Sequence, residues 1–364
     1  MKSKLYFLLI LLLTGLLIFT ACSSKDGEQS QQNQEEIAQQ KELSQEELKD
    51  EIKSIEEKYK AESPEEDQSL ENNYSAVSPF TGLPITQNYY QRAVAASIEN
   101  SPAARPQSGL GEAEIVYEFM LEGGITRFLA IYWPEIPVKI GPIRSARPAL
   151  IKTAQSYDAL FLHAGASPHG FALLAVNDIS HLDQIYKSQY YWRSSKRNAP
   201  HNLYTGKKPL NNYIESLSEK EYQAQFKFLT ASVASDFEKA ENISIDYWGS
   251  YEVLYEYNRL ENNYLRFLNN KDNPHLVESG EQLKAKNIII QYAITSTKDS
   301  EGRQDIDLKS GGKMQLFRDG LVITGSWENN NGEIVYLDAD GNRIEINPGQ
   351  TWIQVVPNGT AITY

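Results

Sequence analysis

The sequence predicts an α/β segment, a layered mixed sheet with helices, followed by a mainly antiparallel β segment. Three observations carry this reading. Between Pro79 and Leu217, short apolar strand runs interleave with helical patterns, which argues for α/β layers. Beyond about Phe228 the texture turns to period-two alternation, as in Ile243, Ile245 and Tyr247. Asp319-Gly320, set between two such runs, is a strong hairpin signal. At 364 residues the chain is long for one core once its first part is set aside, so two globular units are expected. The boundaries fall at 1–22 for a signal peptide, 23–78 for an acidic tether, 79–228 for the α/β domain and 229–364 for the β domain.

The N-terminus decides the cellular address. Lys2 and Lys4 precede an apolar run from Leu5 to Phe19, a pattern of export-signal type that is short for a permanent span. Its end, Phe19-Thr20-Ala21-Cys22, resembles a bacterial lipobox, in which the cysteine becomes the lipid-bearing, palmitate-modified first residue of the mature protein. The expected location is therefore the extracytoplasmic face of the cell membrane, with the membrane as first partner through lipid on Cys22. Cys22 is the only cysteine, which leaves no disulfide and no thiolate metal site, so packing must supply the stability.

The net charge of −13 is unevenly spread. Residues 23–78 hold sixteen acids against six lysines, and Lys2 and Lys4 add two positive charges, so the remaining 286 residues carry only −5. The acidity belongs to the tether, whose Gln-, Glu- and Ser-rich start is expected to stay disordered. One short solvated helix is expected within it: Ser44 and Glu47 form a capping box, and Leu48, Ile52, Ile55 and Tyr59 make a stripe too short for a coiled coil. A flexible segment of this length spans on the order of 40 Å.

Pro79-Phe80-Thr81-Gly82-Leu83-Pro84 opens the first domain with turns. Ala93 to Ile98 reads as a buried strand ending in Glu99-Asn100, and the loop SPAARPQSGLG carries Arg105. Ile115 to Leu121 is a strand bearing Glu118, Glu122-Gly123-Gly124 turns it, and Thr126 to Trp133 returns with Arg127. Arg144, Ser145 and Arg147 sit just ahead of an apolar helical pattern. Ala159 to Ala164 is then a strand with His163, and Gly165 to Pro168 turns into a helix reaching Val176. Tyr190 to Lys208 is a loop with Arg193, Lys196, Arg197, Lys207 and Lys208 and no acid, and Leu210 to Leu217 closes the domain as a helix.

In the second domain Val253, Tyr255 and Tyr257, then Tyr264, Arg266 and Leu268, continue the alternation. Asn287 to Ala293 is a continuous apolar strand, Leu316 to Trp327 a hairpin, and Thr351 to Val356 the last strand. Asp338, Asp340 and Gly341 superficially suggest a calcium loop, but the EF-hand spacing is absent and strands flank both sides, so turn chemistry explains them.

Several long motifs stand in one order along the chain. They are SPFTGLP, ARPQSGL at Ala104 to Leu110, EGGITRFLAIY at Glu122 to Tyr132, GPIRSARP at Gly141 to Pro148, APHNLYT at Ala199 to Thr205, then AKNIIIQY, LFRDG and NPGQTWIQVVP. Through them residues 79–357 resemble the YerB family of Gram-positive lipoproteins. The sequence departs at Gly165-Ala166-Ser167, where the family form is Gly-Gly-Ser, so that turn does not require two glycines. The resemblance implies two successive domains and an exported, lipid-anchored protein; it carries no established activity.

Cations ahead of a helix meet the unfavourable end of its macrodipole unless an anion joins them, so Arg144 and Arg147 ask for a partner. That partner is either an internal acid (Glu99, Glu118 or Glu122) or the carboxylate or phosphate of a ligand, held by forked bonds. Open α/β sheets gather ligands where strands end. The candidate binding set is therefore Glu99, Asn100 and Arg105 after the first strand, Arg127 beside the Glu122 turn, and Arg144, Ser145 and Arg147 at the helix start. Ser167 at the next helix and His201 with Asn202 on the basic loop complete it.

The leading reading is a non-enzymatic module binding an anionic wall polymer or peptide carboxylate through an arginine-lined pocket. Its rival is a wall-active hydrolase or transferase with Glu118 or Glu122 and His163 or His201 as acid and base. His163, inside an apolar strand, suits a satisfied core residue better than a base. Ser167 invites a nucleophile-elbow reading, yet G-x-S-x-x-G with Pro168 beside it is met by helix capping alone. A third reading is a structural interaction protein without a small-molecule site. No ligand cluster such as H-E-x-x-H occurs, so neither a metal nor a cofactor is expected. Export argues against nucleic acid for the basic loop and leaves wall polymers, lipid headgroups and envelope proteins as partners.

Overall fold

Alternation along each strand decides which way its side chains point, and one large sheet with two covered faces follows from it. The computed structural model describes residues 76–364 except 88, 90, 231–236, 249 and 250, so the signal, Cys22 and the Leu48–Tyr59 stripe lie outside the described residues. Strands β1 (Val94–Glu99), β2 (Ile115–Glu122) and β3 (Ile125–Tyr132) pair antiparallel in the order β2-β3-β1. After α1 (Pro148–Ser156), β4 (Leu160–His163) adds parallel to β1, and after α2 (Pro168–Val176), β5 (His181–Asp183) adds parallel to β4. Helix α3 (Lys207–Glu215) buries Leu210 and Ile214.

Beyond it β6 (Asn242–Trp248), β7 (Tyr251–Asn258) and β8 (Asn263–Leu268) form the centre of a six-stranded antiparallel sheet. The chain then returns to the large sheet with β9 (Asn287–Ala293), β10 (Gly312–Arg318), β11 (Leu321–Asn330), β12 (Glu333–Asp338) and β13 (Thr351–Pro357). The α/β character of the first half and the antiparallel character of the second are as the sequence predicts. What sequence patterning does not reveal is how they join: β13 inserts parallel between β9 and β2, so that strands from both halves share one eleven-stranded sheet. Its position explains its composition. Strands covered on both faces read as continuous apolar runs, and every residue from Thr351 to Val356 is buried.

On one face of this sheet Ile115, Tyr117, Phe119 and Leu121 meet Leu150 and Ile151 of α1, with Phe80 from the chain's opening turns. On the other face Val116 and Met120 meet Ile243, Ile245, Val253 and Tyr255 of the antiparallel sheet. Pro168 occupies the first turn of α2, whose N-cap Ser167 accepts the Gly170 N–H at 3.1 Å. In the β10–β11 hairpin Asp319 (φ 58°) and Gly320 (φ 73°) are both left-handed, the conformation that matches strand twist in a two-residue loop. Among the described residues no helix is long and apolar enough to cross a membrane.

Candidate functional site

The segment that leads into α1 crosses the carboxyl ends of β1 and β4. Arg144 N–H bonds to Ser97 O (2.9 Å), Ala164 N–H to Arg144 O (3.0 Å), and Ala146 N–H to Gly165 O (2.9 Å). Because β3 runs antiparallel to its neighbours, its first residues lie at the same rim: Arg127 is in register with Glu99 and Phe119. Three guanidiniums thus meet where strands end.

Two of them share one acid. Arg147 grips Glu122 as a fork, Nε to Oε2 at 3.0 Å and Nη2 to Oε1 at 2.8 Å, while Arg127 Nη2 reaches Oε1 at 2.9 Å and its Nη1 bonds to Ser145 O at 2.6 Å. Burial alone would raise the Glu122 carboxyl; the Arg127 and Arg147 guanidiniums outweigh it and hold the carboxyl below its ordinary range. Arg127 pays for its enclosure: desolvation, with Arg147 adding repulsion, pushes it down to about 10 against the pull of Glu122.

Arg144 is held differently. Its Nε faces Glu99 Oε1 at 3.3 Å without a hydrogen bond, its terminal nitrogens bond to nothing among the described residues, and its side chain is 30% exposed. Glu99 Oε1 is already engaged, accepting from Ser101 Oγ (2.9 Å) and from His201 Nδ1 (3.0 Å), while its Oε2 is buried with no partner. A carboxylate only accepts, so His201 donates to it from Nδ1, and its Nε2 bonds to nothing among the described residues. Buried polar groups are nearly always satisfied, and here Glu99 Oε2 and Arg144 Nε both lack a hydrogen bond.

Around this rim Arg105 and Arg197 form no ion pair among the described residues, although Glu118 acts on Arg105 and Arg197 on Glu278 electrostatically. Arg105 bonds to Asn100 through Oδ1 (3.0 Å) and the main-chain oxygen (2.7 Å) and lies over the Tyr251 ring; desolvation lowers its pKa. Arg197 bonds to Ala104 O (2.7 Å) and Pro106 O (2.6 Å), which clamps the basic loop beside Arg105. Asn202 shapes that loop, accepting from Arg193 at 2.8 Å and donating to Ser194 O at 3.0 Å.

Glu118 lies behind the rim, joined to it through Asn100, and the side chains of His163 and Ser167 are engaged elsewhere. Glu118 is fully buried: Oε1 accepts from Thr126 (2.7 Å), Asn100 (3.2 Å) and Tyr251 (2.8 Å), and Oε2 from Arg266 at 2.6 Å. His163 is enclosed between the Gly165 carbonyl (2.9 Å from Nδ1) and His181 Nδ1 (3.0 Å from Nε2), and burial lowers its pKa to about 4. Ser167 Oγ is spent on its helix cap. Sequence reading missed Ser101, Arg266, His275 and His181; only Ser101, directly after Glu99-Asn100, offered a local signal.

Comparison with known proteins places the chain. Residues 80–222 match "Protein of unknown function (DUF3048) N-terminal domain" and residues 243–353 its C-terminal domain. "Putative lipoprotein YerB" of Bacillus subtilis (strain 168) is 35% identical over 285 residues, which is 76% of this chain and 85% of the relative. The chain belongs to the YerB family. The crystal structure of the B. subtilis YerB protein superposes with a TM-score of 0.72 at 33% identity, covering 80% of this chain and all of that one. Every YerB-family rim residue described above lies in the N-terminal match, whereas Tyr251, Arg266 and His275, which enclose Glu118, belong to the C-terminal one.

Proposed function

We propose that this protein is an exported lipoprotein, anchored through lipid on Cys22 at the extracytoplasmic face of the cell membrane, whose Arg144 rim binds an anionic envelope ligand: a wall-polymer phosphate or a peptide carboxylate. The address is supported by Phe19-Thr20-Ala21-Cys22 and by the lipoprotein name of a 35% identical relative. The ligand reading rests on one observation: Arg144 reaches the rim with its terminal nitrogens unbonded, while Arg127 and Arg147 consume Glu122. A guanidinium whose terminal nitrogens bond to nothing among the described residues favours a carboxylate or phosphate. Calorimetric titration of the mature protein with teichoic-acid fragments and with muropeptides tests it. Binding by one of them, lost on Arg144→Ala and partly kept by Arg144→Lys, is the expected result; equal binding by the wild type and Arg144→Ala overturns it.

A second reading is favoured by the 3.0 Å contact of Glu99 with His201, an acid that orients a histidine whose outer nitrogen has no partner among the described residues. In that case the rim would move a proton during wall hydrolysis or transfer. Release of wall fragments by the wild type and its loss in His201→Gln tests this reading.

A further inference from the structure

The Glu99 carboxylate is used through one oxygen only. Oε1 accepts from Ser101 Oγ and His201 Nδ1 and faces Arg144 Nε, whereas Oε2 has no partner among the described residues although the side chain is only 6% exposed. Arg144 is left over in the complementary way, with its Nε at the acid and no side-chain hydrogen bond among the described residues. Repulsion between Arg144 and Arg127 adds to its need for an anion. A guanidinium this close to a carboxylate normally locks onto it as a fork, as Arg147 does on Glu122. The neighbouring acids are already engaged, Glu122 by Arg127 and Arg147 and Glu118 by Arg266. One acceptor and one guanidinium of opposite charge thus remain, side by side, at the end of β1.

We propose that the rim recognises the zwitterionic head of an α-amino acid, its carboxylate on the Arg144 guanidinium and its ammonium on Glu99 Oε2; this narrows the ligand reading above and rests on it. Charge decides between ligands. A bare anion on Arg144 also meets the Glu99 carboxylate, and a bare cation on Glu99 also meets Arg144, so each gains from one neighbour and loses to the other. An α-amino acid carries both charges on one carbon and gains from both. An ammonium suits Oε2 better than a hydroxyl does, because hydrogen bonds between two ionised groups are the stronger ones. Glu99 is the fixed half of the site, steadied by Ser101 and His201, and Arg144 the movable half. Because Oε2 is enclosed, seating the ammonium involves a turn of the Arg144 side chain, which is 30% exposed. The same head occurs on free amino acids and at the side-chain end of a peptide that contains diaminopimelate.

Calorimetric titration of the mature protein with four probes tests this: alanyl-γ-glutamyl-diaminopimelate, the same tripeptide with lysine in the third position, free diaminopimelate, and glycerol 3-phosphate. Lysine keeps the side-chain amine and lacks only the carboxylate beside it. The diaminopimelate tripeptide should bind about tenfold or more tighter than the lysine one. That advantage should largely vanish in Arg144→Ala, which loses the carboxylate partner. Glu99→Gln keeps an oxygen for Ser101 and His201 but sets an amide NH2 in place of Oε2, and it should weaken the diaminopimelate tripeptide about tenfold while the thermal midpoint confirms folding. Free diaminopimelate binding as tightly as the tripeptide supports the proposal with a free amino acid as ligand; binding by the tripeptide alone supports it with a peptide as ligand. Equal binding of the two tripeptides by the wild type, or no loss in Glu99→Gln, overturns the proposal and leaves the Arg144 rim standing. Tighter binding of glycerol 3-phosphate than of any amino-acid probe does the same. Binding of no probe and of no wall fragment overturns the rim reading with it.

Discussion

Glu118 Oε2 and Arg266 Nη2 lie 2.6 Å apart, 148 residues distant in sequence, and neither side chain is exposed. The pair ties β2 of the first half to β8 of the second. Arg266 also donates to His275 Nδ1 at 3.0 Å and to Tyr255, and the Trp352 ring stacks 4.7 Å from its guanidinium. Removing one partner leaves the other charge buried, which typically costs about 3–5 kcal/mol. Glu118→Gln should therefore lose that much in urea unfolding, and Glu118→Leu with Arg266→Met less than the sum of the single changes, since the two are coupled. A loss below about 1 kcal/mol for Glu118→Gln would mean that the network reorganises around the orphaned arginine.

Stability should fall on mild acidification, with His163 as a main cause. Burial holds its pKa near 4 in spite of the bond to Gly165, burial likewise lowers His181, and burial together with Arg266 depresses His275 strongly. An unfolded histidine takes a proton at about pH 6.5. Below that pH the unfolded chain binds protons that folded His163 refuses until about pH 4, so folding is stabilised above about 6.5 and progressively destabilised down to about 4. The His163 share amounts to about 3 kcal/mol at most. His163→Gln should flatten the pH dependence of urea midpoints across that window; an unchanged slope would place the effect elsewhere.

Elements whose identity depends on neighbours in sequence were readable. Asn287–Ala293 and Pro168–Val176 have the predicted bounds, because a buried run and a capped helix announce themselves locally. Asp319-Gly320 marked its hairpin because left-handed pairs suit few other residues. The rim was readable to the extent that Glu99, Glu122 and Gly165 end strands, and it did bring Glu99 to His201 and Glu122 to Arg147. What lay beyond reading is long-range pairing. Nothing near β13 says that it will lie parallel to β2, and nothing near Arg266, one alternating position among many, says that its counter-ion is Glu118.

The β10–β11 turn offers a backbone test. Gly320 has φ of 73°, and a Cβ there would lie 2.8 Å from the Tyr257 ring, whereas Gly332 (φ 104°) has open space around the same position. Gly320→Ala should cost about 1–3 kcal/mol from strain and then more from the Tyr257 contact, and Gly332→Ala only the strain. Equal thermal midpoints for the two variants would show that Tyr257 moves aside without cost.

Arg144 and Arg147 stand three residues apart, and their different surroundings separate support from recognition. Arg147 is nearly enclosed and forks onto Glu122, so Arg147→Ala removes several charge-assisted bonds and should cost about 1.5–3 kcal/mol in urea unfolding. Arg127 keeps hold of Glu122 in that variant, which limits the damage. Arg144 makes no side-chain hydrogen bond among the described residues, and solvent reaches it, so Arg144→Ala should stay within about 0.5 kcal/mol of the wild type. Relieving its repulsion of Arg127 offsets part of what the Glu99 attraction contributed. An Arg144→Ala loss as large as that of Arg147→Ala would make the 3.3 Å Glu99 contact a structural ion pair, and the rim would then have no cation left over for a ligand.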